Sequence, residues 1–241
     1  MERTEAAAPK KGSVWEDLVD IYFAPSEVFA RRRDGQFGVA LIVLILATAV
    51  LFALTKGYLQ PIFDAQFQKG MESAMRQNPR ITQEQMETMR SVGEKVTLIV
   101  VPITLAVSVF VIGLLLWLVG KAFGSTQPLG LAVMVATFSQ YPRIIQAVLN
   151  GIQGFLMDPA RLTSMYSISA SPARFLDPTT TSPAVMAVLS RLDIFTLWCT
   201  VLLAIGLHVT GNISKGKAYA AAFIVWALAF VPALYQATKA A

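Results

Sequence analysis

The run LGLAVMVATFSQYPRIIQAVLNGIQGFL, residues 129–156, decides the fold, because it is almost wholly apolar and yet carries an arginine at its centre. Polar residues recur along it at steps of four and three, which places them on one helical face about 80° wide. They are Ser139, Arg143, Gln146, Asn150 and Gln153. A charge at the centre of a bilayer costs about 2.5–3.5 kcal/mol on insertion scales, so this stripe should face protein or a water-filled cavity. The run therefore predicts one span of a membrane helix bundle with a polar interior.

The composition is that of a membrane protein. Of the 241 residues, 55% are hydrophobic and 15% are charged, whereas soluble domains carry about 25% charged residues. The net charge of +5 contains no dense basic run, so we expect no nucleic-acid partner. The single cysteine, Cys199, rules out a disulfide within the chain. The lipid bilayer is thus the first partner that the sequence indicates.

Five apolar runs approach or exceed the roughly 20 residues that cross a 30 Å hydrocarbon core. The predicted spans are residues 37–54, 96–119, 129–156, 184–209 and 218–234. Together they predict an all-α, polytopic domain over residues 36–237. Thr82 and Gln85 have the spacing of a capping box, which predicts that a helix begins there and continues unbroken into the second span.

An amphipathic segment at residues 13–33 precedes the first span and follows a polar stretch, residues 1–12, that we interpret as a disordered tail. Ser13 and Glu16 have capping-box spacing, and apolar residues then recur with helical periodicity. The segment is too short and polar to cross a bilayer, so we expect an interfacial helix on the cytoplasmic face. The residues predicted to contact the membrane surface or a partner are Trp15, Tyr22, Arg31, Arg32 and Arg33.

The three arginines directly before the first span predict a cytoplasmic N-terminus by the positive-inside rule. An odd number of spans then places the C-terminus on the extracytoplasmic side.

Arg143 needs a partner inside the bundle, and Asp193 in the fourth predicted span is the best candidate. At 1.5 Å per residue, Arg143 lies about 21 Å and Asp193 about 14 Å from the same membrane face, a difference that an arginine side chain can cover. One hypothesis is therefore a structural ion pair that ties two antiparallel spans together. The alternative is that the polar stripe lines a wet cavity or a substrate path.

Enzyme signatures are missing from the sequence. It contains no HExxH, no phosphate loop, no GxSxG and no paired carboxylates within the spans. We therefore predict no catalytic residues, no cofactor and no metal ligands.

Two parts of the chain resemble the Yip (Ypt-interacting protein) family in its bacterial form. The segment DIYFAPSEVF, residues 20–29, is similar to the family's entry motif before the first span. The segment LDIFTLW, residues 192–198, followed by Gly206 and by SKGKA at residues 214–218, is similar to its closing half. The likeness extends over residues 14–236 in order and in span count. It implies a five-span bundle with a cytoplasmic N-terminus and a non-catalytic role.

Eukaryotic Yip proteins are linked to vesicle traffic and Rab-type GTPases through a long N-terminal region, whereas here about thirty-five residues precede the first predicted span. The resemblance instead implies a scaffold or adaptor in a bacterial plasma (inner) membrane that acts through protein or lipid contacts. A membrane transporter that it helps to assemble or regulate is the candidate partner, and the sequence does not specify the oligomeric state. The rival hypothesis is a small-solute transporter or channel lined by the polar face of the third span. An odd span count without internal repeats argues against that rival.

Overall fold

The computed structural model describes residues 12–78 and 80–239, so the tail predicted at residues 1–12 lies outside it apart from Gly12. The described chain is helical and contains no strand. The helices are α1 (Val14–Asp20), α2 (Pro25–Arg31), α3 (Gly38–Thr55), α4 (Gln60–Gln77), α5 (Gln83–Ala122), α6 (Leu129–Ser139), α7 (Pro142–Leu156), α8 (Pro183–Ser190), α9 (Ile194–Gly211), α10 (Lys215–Leu228) and α11 (Val231–Lys239). The Pro- and Ser-rich segment between α7 and α8 forms three short 3₁₀ turns, Pro159–Arg161, Met165–Ile168 and Pro172–Phe175.

Four stretches of the described helices are long and apolar enough to cross a membrane. They are Gly38–Thr55, Ile99–Ala122, Ile194–Gly211 and Lys215–Thr238. The protein is therefore a multi-pass membrane protein by the length and composition of its helices. The run at residues 129–156 is not among the four, although the sequence predicted it as the third span.

The predicted third span is two helices and not one. The chain leaves helical geometry at Gln140 and Tyr141, so α6 has 11 residues and α7 has 15. Pro142 occupies the first position of α7, where its missing N–H removes no helical hydrogen bond. Proline inside one continuous helix would instead have left a carbonyl without its donor. The chain is thus fully interrupted between α6 and α7.

The predicted fourth span is also divided, because α8 ends at Ser190 and α9 begins at Ile194. The prediction for the start of α5 is confirmed: Gln85 N donates to Thr82 Oγ1 at 3.3 Å, and Thr82 N donates to Gln85 Oε1 at 3.0 Å. From that cap the helix continues for 40 residues with Pro102 inside it. Helix α4, within the polar stretch after the first span, was not predicted.

By its internal contacts the described chain divides into two compact units. The first unit contains residues 12–43, 109–141 and 199–228, and the second contains the remaining described residues.

Helix α6 forms the core of the first unit, and every residue from Leu131 to Ser139 is buried. Glycines allow its neighbours to approach closely, as small residues do in membrane bundles. A Cβ added to Gly113 would lie 2.8 Å from Val133 Cα, and one added to Gly206 would lie 3.1 Å from Phe29 Cζ while overlapping Val135. At Gly113 and Gly206, helices α5 and α9 therefore approach α6 more closely than a larger side chain would allow.

The core of the second unit is an apolar cluster between α4 and the 3₁₀ segment. Leu59, Ile62, Leu162 and Ile168 are buried there. Helix α7 packs against the same region, since a Cβ on Gly154 would lie 2.6 Å from Leu59 Cδ2. This packing holds the segment after α7 beside α4.

Candidate functional site

The N-terminal segment, residues 13–33, begins with the capping box that the sequence predicted. Ser13 Oγ accepts a hydrogen bond from Glu16 N at 3.2 Å, and Glu16 Oε2 accepts one from Ser13 N at 2.9 Å. Helix α1 follows, and a turn at residues 21–23 leads into α2, whose first residue is Pro25. Ile21, Val28 and Phe29 are fully buried. The segment is therefore docked on the first unit and does not hang free from it.

An ion cluster joins α1 to the end of α2, and we call its four residues (Asp17, Asp20, Arg31, Arg32) the Asp17 cluster. Asp17 Oδ1 lies 2.8 Å from Arg31 Nε and 2.6 Å from Arg31 Nη2, while Oδ2 lies 2.5 Å from Arg32 Nε. Arg31 Nη2 also donates to Asp20 Oδ2 at 2.5 Å. The Asp17 side chain is 0% exposed, against 14% for Arg31 and 10% for Arg32. Burial lowers the pKa of Arg31, but the hydrogen bonds that Arg31 donates to the Asp20 and Asp17 carboxylates outweigh it and raise the pKa overall.

Long-range hydrogen bonds of Tyr22 and Arg33 attach the same segment to the rest of the first unit, and Tyr141 extends the first of them to α3. Tyr22 Oη donates to the carbonyl of Tyr141 at 3.0 Å, and Tyr141 Oη donates to the carbonyl of Ala40 at 2.7 Å. Burial raises the pKa of Tyr22 to about 12, which keeps the phenol neutral as a donor. Arg33 Nη2 donates to the carbonyl of Val209 at 2.6 Å, in the last turn of α9, where a cation also complements the helix dipole.

The outward side of this segment is apolar. Trp15, Val19 and Phe23 are 66%, 58% and 84% exposed. Their spacing of four residues is that of neighbours on one helical face, although Phe23 lies in the turn beyond α1. We call these three residues the apolar ridge.

The sequence-predicted contact residues thus separate into two groups. Trp15 is exposed on the outward side, and its contact with the membrane surface or a partner stays a prediction. Arg31 and Arg32 direct their guanidinium groups at Asp17, because that buried carboxylate needs both, whereas the prediction placed them at headgroups or a partner. Tyr22 is half-buried and bonded to Tyr141.

Asp193 in the second unit is the N-cap residue of α9. Its Oδ1 accepts hydrogen bonds from Phe195 N at 2.9 Å and Thr196 N at 3.3 Å. Its Oδ2 accepts from Ala170 N at 3.0 Å, and the carbonyl of Ala170 accepts from Ile194 N at 3.2 Å. The carboxylate is 5% exposed and therefore satisfies the amides at a buried helix start.

Gln146 connects Asp193 to Arg143. Its Nε2 donates to Asp193 Oδ1 at 3.2 Å, and its Oε1 lies 3.5 Å from Arg143 Nη1. The direct ion pair between Arg143 and Asp193 stays a prediction, while the amide bridge is what the structure contains.

The polar stripe continues along α7. Gln153 donates to the carbonyl of Ile168 at 3.0 Å and accepts from Arg174 at 2.5 Å. With its amide turned to donate, Asn150 lies 3.2 Å from the same Ile168 carbonyl. These contacts hold the 3₁₀ segment against α7. A cavity of about 210 Å³ opens beside Gln146, Asn150 and Asp193. The stripe therefore both ties segments together by hydrogen bonds and lines a cavity, as the two hypotheses respectively expected.

Ser139 departs from the predicted stripe. It is the last residue of α6, in the first unit, and its buried hydroxyl has no hydrogen-bond partner among the described residues. The helical periodicity that aligned Ser139 with Arg143 does not hold, because the helix is interrupted between them.

Sequence reasoning missed Asp17 and Tyr141, the residues that organise the N-terminal segment. A usable signal for Asp17 was its spacing from Asp20, which places both carboxylates on one face of α1. Tyr141 carried no comparable signal, since an aromatic residue beside a proline is ordinary in an apolar run. Among the described residues, no group of three or more His, Cys, Asp or Glu side chains could hold a metal ion.

Comparison with known proteins identifies the family. The model of the Yip1 domain matches residues 19–235, which include the Asp17 cluster's two arginines, Tyr141 and Asp193. The chain belongs to the Yip1 domain family. It is similar to Membrane protein YknW of Bacillus subtilis (strain 168), with 28% identity over 240 residues that cover 98% of this chain and 94% of YknW. No solved structure matches it.

The Yip1-family resemblance predicted from the sequence is thus confirmed. The Yip1 domain family is not known to be enzymatic.

Proposed function

We propose that this Yip1-domain protein is a non-catalytic scaffold or adaptor of the bacterial plasma membrane, which acts through protein or lipid contacts of its N-terminal segment. The observation that carries the proposal is the apolar ridge on a segment held rigidly in place. Ion pairs and backbone hydrogen bonds fix the inner side of the segment, so its outward side is a preformed surface. Preformed surfaces bind with a smaller loss of conformational freedom than flexible ones.

A membrane transporter is the partner class that we propose. YknW, whose name states only that it is a membrane protein, does not specify the partner. The proposal rests on the family resemblance and on the location of the ridge directly before the first span, where a neighbouring membrane protein could reach it.

We further propose five spans, the four named above and a third in chain order at residues 129–156. The apolar run at residues 129–156 exceeds the roughly 20 residues that cross a hydrocarbon core, although it is divided into helices of 11 and 15 residues. The complete burial of α6 from Leu131 to Ser139 supports this, since a helix buried on all sides is expected at the centre of a bundle. With Arg31–Arg33 on the cytoplasmic side, the C-terminus is then extracytoplasmic.

The test is site-specific photo-crosslinking in native membranes. A benzophenone amino acid replaces Trp15, Val19 or Phe23 in separate strains, and Ser26, exposed on α2 but off the ridge, is the control position. We expect one protein adduct of the same mass at all three ridge positions and none at Ser26.

A second variant excludes chance proximity. The double substitution Trp15→Ser and Phe23→Ser changes two exposed side chains, so the fold should be retained, but the adduct at Val19 should disappear. Lipid adducts alone at the ridge would show contact with the membrane and would refute a protein partner, the proposed transporter included, at this surface.

A further inference from the structure

A cleft of about 330 Å³ lies in the second unit at the carboxyl end of α3, and we call it the α3-end cleft. Three aromatic rings and three charged side chains line it: Phe52, Phe63, Phe67, Lys56, Asp64 and Arg90. None of these residues belongs to the polar stripe or to the N-terminal segment.

The cleft lies at the level where hydrocarbon gives way to headgroups. Phe52 is in the last turn of α3, a candidate span that ends at Thr55, and Lys56 is the next residue. On the other wall Thr97 lies two residues before Ile99, where the apolar part of α5 begins. A ligand in the cleft would therefore have one end in the acyl region and the other at the interface.

The inner wall of the cleft is aromatic. The rings of Phe52 and Phe63 meet edge to face, with centroids 5.9 Å apart and planes at 75°. Phe67 lies one helical turn beyond Phe63 on α4, and all three side chains are half-buried. Such a wall suits an acyl chain, because rings already in contact lose little freedom when they are covered.

The rim of the cleft is cationic. Lys56 is exposed, and 48% of the Arg90 side chain remains exposed while Arg90 Nη2 bonds Asp64 Oδ1 at 2.5 Å. Gln60 Nε2 donates to the same Asp64 oxygen at 3.0 Å. Asp64 therefore subtracts from the positive charge of the rim.

We propose that the α3-end cleft binds a phospholipid with an anionic headgroup, whose phosphate lies between Lys56 and Arg90 and whose acyl chain covers the phenylalanine rings. A soluble anion would leave the rings uncovered, and a zwitterionic lipid would not use the cationic rim. The inference goes beyond the scaffold role and requires only that α3 and α5 cross the membrane.

The experiment measures lipid binding to the purified full-length protein by native mass spectrometry in detergent. Dioleoylphosphatidylglycerol and dioleoylphosphatidylcholine are titrated at equal concentrations. We expect one site that prefers phosphatidylglycerol. Lys56→Gln should weaken that site about fivefold, since one basic residue near an anionic surface is worth about that factor. Binding of phosphatidylcholine should not change.

Asp64→Asn distinguishes the proposal from general destabilisation. It removes a negative charge beside the headgroup, so phosphatidylglycerol should bind more tightly, and loss of an exposed ion pair should leave the fold intact. Phe67→Ala should weaken both lipids. The matched control is Lys121→Gln, which removes an exposed cation in the last turn of α5 and should have no effect.

Three results would overturn the proposal. They are equal binding of the two lipids to the unmodified protein, a loss for Lys121→Gln as large as that for Lys56→Gln, and weaker phosphatidylglycerol binding after Asp64→Asn. The melting temperature of each variant, measured in the same detergent, confirms that the protein remains folded. None of these results depends on the identity of a protein partner, so the scaffold proposal is tested separately.

Discussion

Asp17→Ala should release the N-terminal segment from the first unit while the apolar spans remain folded. The substitution deletes a carboxylate whose side chain is 0% exposed and leaves Arg31 and Arg32, 14% and 10% exposed, facing each other without it. Removing one partner of a buried ion pair typically costs about 3–5 kcal/mol, because the remaining charge is left uncompensated. Two guanidinium groups of the same sign remain, but Arg31 keeps its bond to Asp20 and Arg32 its bond to the Gly12 carbonyl, so a loss within this range is expected.

Hydrogen exchange on α1 and α2 is the suitable assay, because a docked segment can open locally without global unfolding. A loss of about 3–5 kcal/mol in local stability corresponds to exchange that is roughly 100- to 1000-fold faster or more. Amides of α9 and α10 should exchange as before. The melting temperature alone would underestimate the effect, since it reports on the whole helical domain.

Asp20→Ala is the matched control. The Asp20 side chain is 39% exposed and bonds Arg31 alone in the cluster, so its loss should change exchange about fivefold at most. A triple variant, Asp17→Leu with Arg31→Met and Arg32→Leu, should recover most of the protection, since apolar groups of similar volume can replace a buried ion cluster. Equal exchange in Asp17→Ala and Asp20→Ala would refute the assignment of Asp17 as the residue that holds the segment.

Three further predictions follow from the packing and the caps. Gly206→Ala should cost about 1–3 kcal/mol by overpacking, whereas Gly216→Ala, with open space around it, should not lower the melting temperature. Burial raises the pKa of Tyr22 from 10.0 to about 12, so the neutral phenol contributes fully to the free energy of unfolding below pH 10.0. That contribution is lost as the pH rises from 10.0 toward about 12. Over this pH range the melting temperature of Tyr22→Phe should therefore fall less than that of the unmodified protein. Asp193→Ala should lower the free energy of unfolding by roughly 1–2 kcal/mol, measured by thermal unfolding. Asp193→Asn should lower it less, because the amide oxygen still accepts from the α9 amides. A direct ion pair with Arg143 would instead make the two substitutions equally destabilising.

Local signals in the sequence predicted local structure well. The capping boxes at Ser13 and Thr82 are present because each involves side chains three residues apart, so nothing distant decides them. The sequence also predicted the apolar parts of α3 and α5, Gly38–Thr55 and Ile99–Ala122, for a similar reason. The length and hydrophobicity of a helix determine whether it can cross a bilayer.

The helix breaks were harder to predict, because the same residue type occurs in two different structural contexts. Pro142 can bend a continuous helix or begin a new one, and the surrounding apolar residues suit both. Asp193 before Ile194 has the form of an N-cap, yet inside an apolar run the same aspartate also suggests a buried ion pair. The packing of distant segments decides between these contexts, and hydropathy carries no information about that packing.

The Asp17 cluster shows the same limit for charges. Three consecutive arginines before a span indicate orientation by their number, but a solvated arginine and one paired with a buried carboxylate are identical in sequence. Two of the three are paired, and the third caps the end of α9. Their pairing depends on the turn at residues 21–23, which brings α2 back beside α1.

Interrupted helices explain where the buried polar groups of this Yip1 domain lie. A buried backbone group that leaves a helix loses its hydrogen-bond partner, so each break needs donors and acceptors from elsewhere in the chain. The break before α9 does so with Asp193, which accepts from two α9 amides and from Ala170. The break between α6 and α7 does so in part with Tyr22, which donates to the Tyr141 carbonyl. Gln146 and Gln153 then connect α7 to Asp193 and to Ile168. Side chains occupied in this way are poorly suited to exchange partners with a passing solute. This favours an architectural role for the polar stripe and a scaffold over a transport path.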